Sequence, residues 1–124
     1  MLYAILCYNE ETAIRRWSPE EDAATMERLH KVEKRLTAEG KLGPVARLQP
    51  TPTARTLRKQ GKEQFLIDGP FAETKEQFLG FFMVEVETPD EAIAAARDLA
   101  EANPGTGAYE IRPLALYHPD GRRA

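Results

Sequence analysis

Cysteine is almost missing from this chain of 124 residues: Cys7 is its one thiol, so an intrachain disulfide is excluded. A fold without disulfides suits a reducing compartment, and a cytosolic location is expected. Histidine is nearly as scarce, with His30 and His118 far apart in sequence. A zinc site gathers several His, Cys or carboxylate ligands at defined spacings, so no bound metal is expected. No glycine-rich phosphate loop precedes a helix, since Gly40-Lys41-Leu42-Gly43 follows one. Serine in a nucleophile elbow is lacking, as are haem, flavin and nicotinamide motifs, so no cofactor is expected. No apolar run approaches the ~20 residues that cross a bilayer. Residues Met1 to Glu10 carry no basic n-region and no cleavage site. The formal net charge is −3 with both signs interspersed, which argues against a nucleic-acid partner. Arg55, Arg58, Lys59 and Lys62 form one basic cluster, but Glu63 dilutes it and it reads as a solvated hairpin.

What remains is an ordinary globular composition and enough length for one core, expected over residues 1–118 with a polar tail at 119–124. Leu2 to Tyr8 is continuously apolar and reads as a strand buried on both faces. Ser18-Pro19-Glu20-Glu21 opens a helix: Ser18 caps, Pro19 suits the first helical position, and Glu21 completes a capping box. Met26, Leu29, Val32 and Leu36 form its apolar stripe, and Gly40 stops it. Leu42 to Leu48 reads as a strand. Thr53 to Arg58 and Glu63 to Ile67 read as a hairpin turned at Gln60-Gly61. From Gly80 to Glu87 the pattern alternates, with Phe82, Val84 and Val86 on one side and Phe81 and Met83 on the other. Thr88-Pro89-Asp90-Glu91 repeats the helix-start chemistry, with Ile93, Ala96, Leu99 and Ala100 as the buried face. Tyr109 to Tyr117 is the last strand.

The order β-α-β-(β-hairpin)-β-α-β predicts an α+β domain whose two helices share one sheet face. The other face has no helix to cover it. Tyr3, Ile5, Phe81 and Met83 are expected there, as an apolar patch that a second copy of the sheet would cover in a homodimer.

The most informative stretch is Asp68-Gly69-Pro70-Phe71-Ala72-Glu73-Thr74-Lys75-Glu76-Gln77, a rigid turn followed by dense charge between two apolar runs. This segment resembles the DGPF-domain proteins, a branch of the YCII-related family named for the residues found here at 68 to 71. The resemblance covers roughly residues 1 to 116. It implies a ferredoxin-like fold that dimerises through its sheet as a dimeric α+β barrel, without implying a particular reaction. Relatives of that architecture resemble isomerases, lyases and cofactorless oxygenases. The resemblance to DGPF-type proteins also implies a gene neighbourhood with extracytoplasmic-function sigma factors, the hint behind a non-catalytic partner or regulatory role.

His30 lies near the edge of the first helix's apolar stripe, where an imidazole can shuttle protons near neutral pH. Asp68, at a strand end, is the other candidate acid–base group; equally, it forms an Asx-type turn with its own loop. The resemblance implies a helix-one histidine paired with an aspartate near the end of the second helix. His30 stands one residue from that place, and Asn103 occupies the aspartate's, which removes the carboxylate such a dyad needs. Tyr8 and Trp17 are candidates to line a pocket beside Tyr3 for a small aromatic ligand, Lys75 is a candidate to bind an anionic one, and Phe71, expected as a buried anchor, is a further ligand-binding candidate. Two readings follow. A small-molecule enzyme or binder predicts a closed pocket with His30 or Asp68 inside it. A non-catalytic partner or regulatory protein predicts those residues paired in the loop and an exposed patch elsewhere.

Overall fold

In the computed structural model, which describes residues 1–119, strand β1 (Leu2–Asn9) is central, and this position accounts for its continuous apolarity. Strand β5 (Gln77–Glu85) pairs with it antiparallel on one side and β6 (Ala108–Pro113) on the other, while β2 (Leu42–Arg47) adds to β5. The resulting order, β2-β5-β1-β6, is the ferredoxin-like arrangement. Strands β3 (Arg55–Gln60) and β4 (Glu63–Asp68) form a separate two-stranded hairpin.

Helix α1 (Glu11–Arg15) is a short turn after β1; α2 (Pro19–Ala38) and α3 (Pro89–Ala102) are the two long helices. Both long helices begin as their sequences dictate. Ser18 Oγ accepts from the Glu21 amide at 3.1 Å, and Thr88 Oγ1 from the Glu91 amide at 3.2 Å. They pack together on one sheet face. Leu36 of α2 and Ala92, Ala95, Ala96 and Leu99 of α3 close over Tyr3, Ile5, Phe82 and Val84. The alanines let α3 approach the sheet closely, and two cross-helix links fix the pair. Arg28 Nε donates to the Ala102 carbonyl at 2.9 Å, and Arg35 pairs with Asp98. Among the described residues, no helix is long and apolar enough to cross a membrane.

Several expectations need correction. Tyr3 and Ile5 belong to the helix-facing core, not to the open face. A strand that is apolar on both sides leaves its own phase undetermined. Pairing sets it here, because Ile5 faces Phe82 and Tyr3 faces Val84 across the ladder. The open face therefore carries Leu2, Ala4 and Leu6 with Phe81, while Met83, on that side by alternation, is buried rather than exposed. Ile93 is exposed rather than buried; Ala92 and Ala95 take its place, since α3 lies rotated by about one residue from the expected stripe. Residues 11–15 are helical where a loop was expected, and β6 ends at Pro113, four residues early. The hairpin stands outside the main sheet. Of the expected polar tail, residues 120–124 lie outside the described residues.

Candidate functional site

One face of α2 looks into a cleft over the sheet. Asp22, Met26, Leu29 and Glu33 recur at intervals of three or four residues, so they stack along that face. Opposite them lie Cys7 of β1, Phe82 of β5, Val45 of β2 and Tyr109 of β6. Ile14 of α1 and Trp17, just beyond it, also line the cleft. The space is about 170 Å³.

The floor depends on an irregularity. Cys7 pairs with Gly80, but Tyr8 pairs with Phe78, so Leu79 is an extra residue in β5. Such a bulge re-aims a side chain, and Leu79 reaches the cleft. Gly80, beside it, has φ +155°, and a Cβ there would stand 2.3 Å from the Ala46 carbonyl oxygen. Only glycine lets β2 approach this closely.

A polar wall stands at the β6 side. Asn103, the C-cap of α3, donates through Nδ2 to Tyr109 Oη at 2.8 Å and to the Leu99 carbonyl at 3.2 Å. This accounts for an amide at the position where the resemblance calls for an aspartate. A carboxylate cannot donate to the Leu99 carbonyl. Burial raises the Tyr109 phenol above its usual pKa, the nearby Cys7 adds to the rise, and the Asn103 bond offsets part of it. The Cys7 thiol is pushed up to about 11 by burial, so it stays protonated and unreactive near neutral pH. Among the described residues, no three His, Cys, Asp or Glu side chains come together as a metal site.

The candidate residues from the sequence fall in different places. Tyr8 and Trp17 line the cleft. The Tyr8 hydroxyl, however, donates to Glu110 Oε1 at 3.2 Å, and its ring meets Phe78 with centroids 5.5 Å apart. Glu110 raises its pKa through that bond, after burial. His30 lies outside the lining, 67% exposed, with Nδ1 3.5 Å from Glu33 Oε2. It meets the cleft only through Glu33. The Asp68 carboxylate, 90% exposed at the end of β4, sits 3.7 Å from Arg55 Nε.

Phe71 is 74% exposed, contrary to the expected buried anchor, and the Arg58 guanidinium lies 5.0 Å from its ring centre. The loop has no sheet beneath it because its hairpin stands apart. Its shape comes from Gln77, whose Nε2 donates to the Ala72 and Thr74 carbonyls, rather than from an Asp68 turn. Lys75 Nζ pairs with Glu10 Oε1 at 3.2 Å, beside α1.

Sequence reasoning missed Glu33, Arg47 and Tyr109. Glu33 was within reach, for it falls seven residues after Met26 on the stripe already identified. Arg47 and Tyr109 join the cleft through long-range strand pairing, which carries no local signal.

Comparison with known proteins supplies the family context. The model of the YCII-related domain matches residues 1–115. An uncharacterized protein of Rhizobium meliloti (strain 1021) is 56% identical over 119 residues, covering 96% of each chain.

Proposed function

The chain belongs to the YCII-related family, and within that family we propose that it is a small-molecule-binding protein whose ligand occupies the cleft between α2 and the sheet. The run from Asp68 to Phe71 supports a place in the DGPF branch. One observation carries the reading. Trp17, Met26, Leu29 and Phe82 give the cleft an apolar body, while the polar residues Tyr109, Glu33 and Arg47 share its lining. Binding sites share this composition. The volume sets the ligand class, since an apolar cavity of about 150 Å³ accommodates benzene. A one-ring molecule with a hydroxyl or carboxylate is the matching size. Where proton transfer follows binding, Glu33 is the group placed to take the proton, with His30 behind it as the relay. Asp68 lies too far along the hairpin to share the cleft lining.

The test is a thermal-shift screen with phenol, benzaldehyde and benzoate at millimolar concentration. A ligand that binds only the native state raises the melting temperature by mass action. At least one probe is expected to do so, and Leu29→Trp, which fills the cleft, is expected to abolish the shift. No shift from any probe, or an undiminished shift in the folded Leu29→Trp variant, would rule the cleft out.

A second reading concerns assembly, and the open sheet face favours it. Leu2, Ala4, Leu6 and Phe81 share that face, and both long helices lie on the other. The hairpin adds exposed Leu57, Phe65, Leu66 and Ile67. The sheet-face residues are half-buried and the hairpin ones exposed, and a contiguous apolar patch is the mark of an interaction site. A second copy of the chain, sheet against sheet, is the proposed occupant. Light scattering at micromolar concentration is expected to give a dimer, and Leu6→Lys to give a folded monomer. Lysine suits this test because Glu110 lies opposite Leu6 on β6, so no like charge is introduced there. A wild-type protein that runs as a monomer defeats the proposal.

A further inference from the structure

The cleft has a neighbour. A second cavity of about 310 Å³ lies beside it, with Glu11, Ile14, Arg47, Leu48, Pro50 and Leu79 in its walls. Ile14, Arg47 and Leu79 line both spaces, so together they are the partition. Two of the three are held by the sheet. Arg47 pairs with Gly80 in the β2–β5 ladder, and Leu79 accepts the Leu48 amide at 2.8 Å.

Ile14 is held differently. It comes from α1, five residues long and too short to be stable as an isolated helix. Side-chain latches fasten this segment instead. Glu11 accepts from the Thr51 amide at 2.8 Å and from Thr51 Oγ1 at 2.6 Å, and Glu10 pairs with Lys75 at 3.2 Å. Both latches join α1 to segments some 40 or more residues further along the chain. Lys75 thus serves as a strut from the DGPF-like loop to α1.

We propose that Ile14 is the size gate of the binding site. Its side chain closes the cleft off from the second cavity and holds the ligand to about one ring. With the isoleucine removed, or α1 released, the two spaces merge into one of the size that multi-ring ligands occupy, ~300–1,000 Å³. The gate rests on the reading of the cleft as the ligand site.

The experiment compares phenol with 2-naphthol by calorimetric titration against the wild-type chain, Ile14→Ala and Thr51→Val. Thr51→Val drops one latch donor without touching either lining. Wild type is expected to bind phenol and to discriminate against 2-naphthol. Ile14→Ala is expected to tighten 2-naphthol by about tenfold or more, the scale on which an apolar pocket senses a few carbons. Thr51→Val shifts the preference in the same direction by a smaller factor, and it decides the matter where Ile14→Ala does not fold. An unchanged ratio of 2-naphthol to phenol affinity in the folded variants overturns the gate and leaves the cleft reading standing. If phenol binds none of the three proteins, both fall.

Discussion

Gly80→Ala is expected to destabilise the protein by about 3 kcal/mol or more, from an unfavourable φ together with a backbone clash. The added methyl would lie 2.3 Å from the Ala46 carbonyl oxygen and 3.0 Å from the Arg47 Cα. Both are main-chain atoms, so no rotamer change relieves the contact. Strand β2 has to move away from β5, and it carries Val45, Ala46 and Arg47 out of the cleft wall with it. Gly61→Ala is the control. Gly61 also has a positive φ, +62°, but nothing stands within 4 Å of its would-be Cβ. It should lose only the left-handed strain of about 1–2 kcal/mol. Urea denaturation of the two variants separates clash from strain. A Gly80→Ala protein no less stable than Gly61→Ala would mean that β2 does not press on β5 at this point.

Leu99→Ala is expected to cost about 2–5 kcal/mol, the range for a leucine truncated in a close-packed core. Leu99 is fully buried, in the cluster that joins α3 to Ile5 and Val84. Against a total stability of ~5–15 kcal/mol this is a large fraction. Its effect should also reach the cleft. The Leu99 carbonyl is one of the two acceptors of Asn103 Nδ2, and the other is Tyr109 Oη. A repacked helix end therefore shifts the polar wall as well. In a thermal melt the loss corresponds to a fall on the order of 10 °C. A fall of only one or two degrees would place Leu99 in a looser site than its burial implies.

Local chemistry was legible in the sequence; pairing was not. Ser18 and Thr88, each followed by proline and acidic residues, announced both long helices, and their side chains make the expected caps. Leu2 to Tyr8 announced a strand but concealed its phase, since both sides are apolar and only the partners decide which side meets the helices. Phe71 misled for a related reason. An aromatic residue after a tight turn reads as an anchor, yet the core it would anchor to lies under a different sheet. For the cleft, Trp17, Tyr8 and the α2 stripe were recognisable. Bringing Cys7, Tyr109 and Arg47 to the same place took pairings across four strands and a bulge at Leu79. These are global features that no window of ten or fifteen residues contains.

The central position of β1 also has a consequence in time. Strand β1 is made well before β5 and β6, which flank it in the sheet, with Tyr3 paired to Val84 on one side and Pro113 on the other. At roughly 5 to 20 residues per second, a ribosome needs on the order of 5 to 20 seconds to make the intervening chain. Until β5 is made the apolar run from Leu2 to Tyr8 has neither partner, and until β6 is made it has only one. The hairpin of β3 and β4 needs only its own neighbours and can form earlier. Pairings this distant in sequence are slow to close, so the nascent chain carries an incompletely paired apolar strand until β5 and β6 have both been made. That interval is when a chaperone would matter most to its yield.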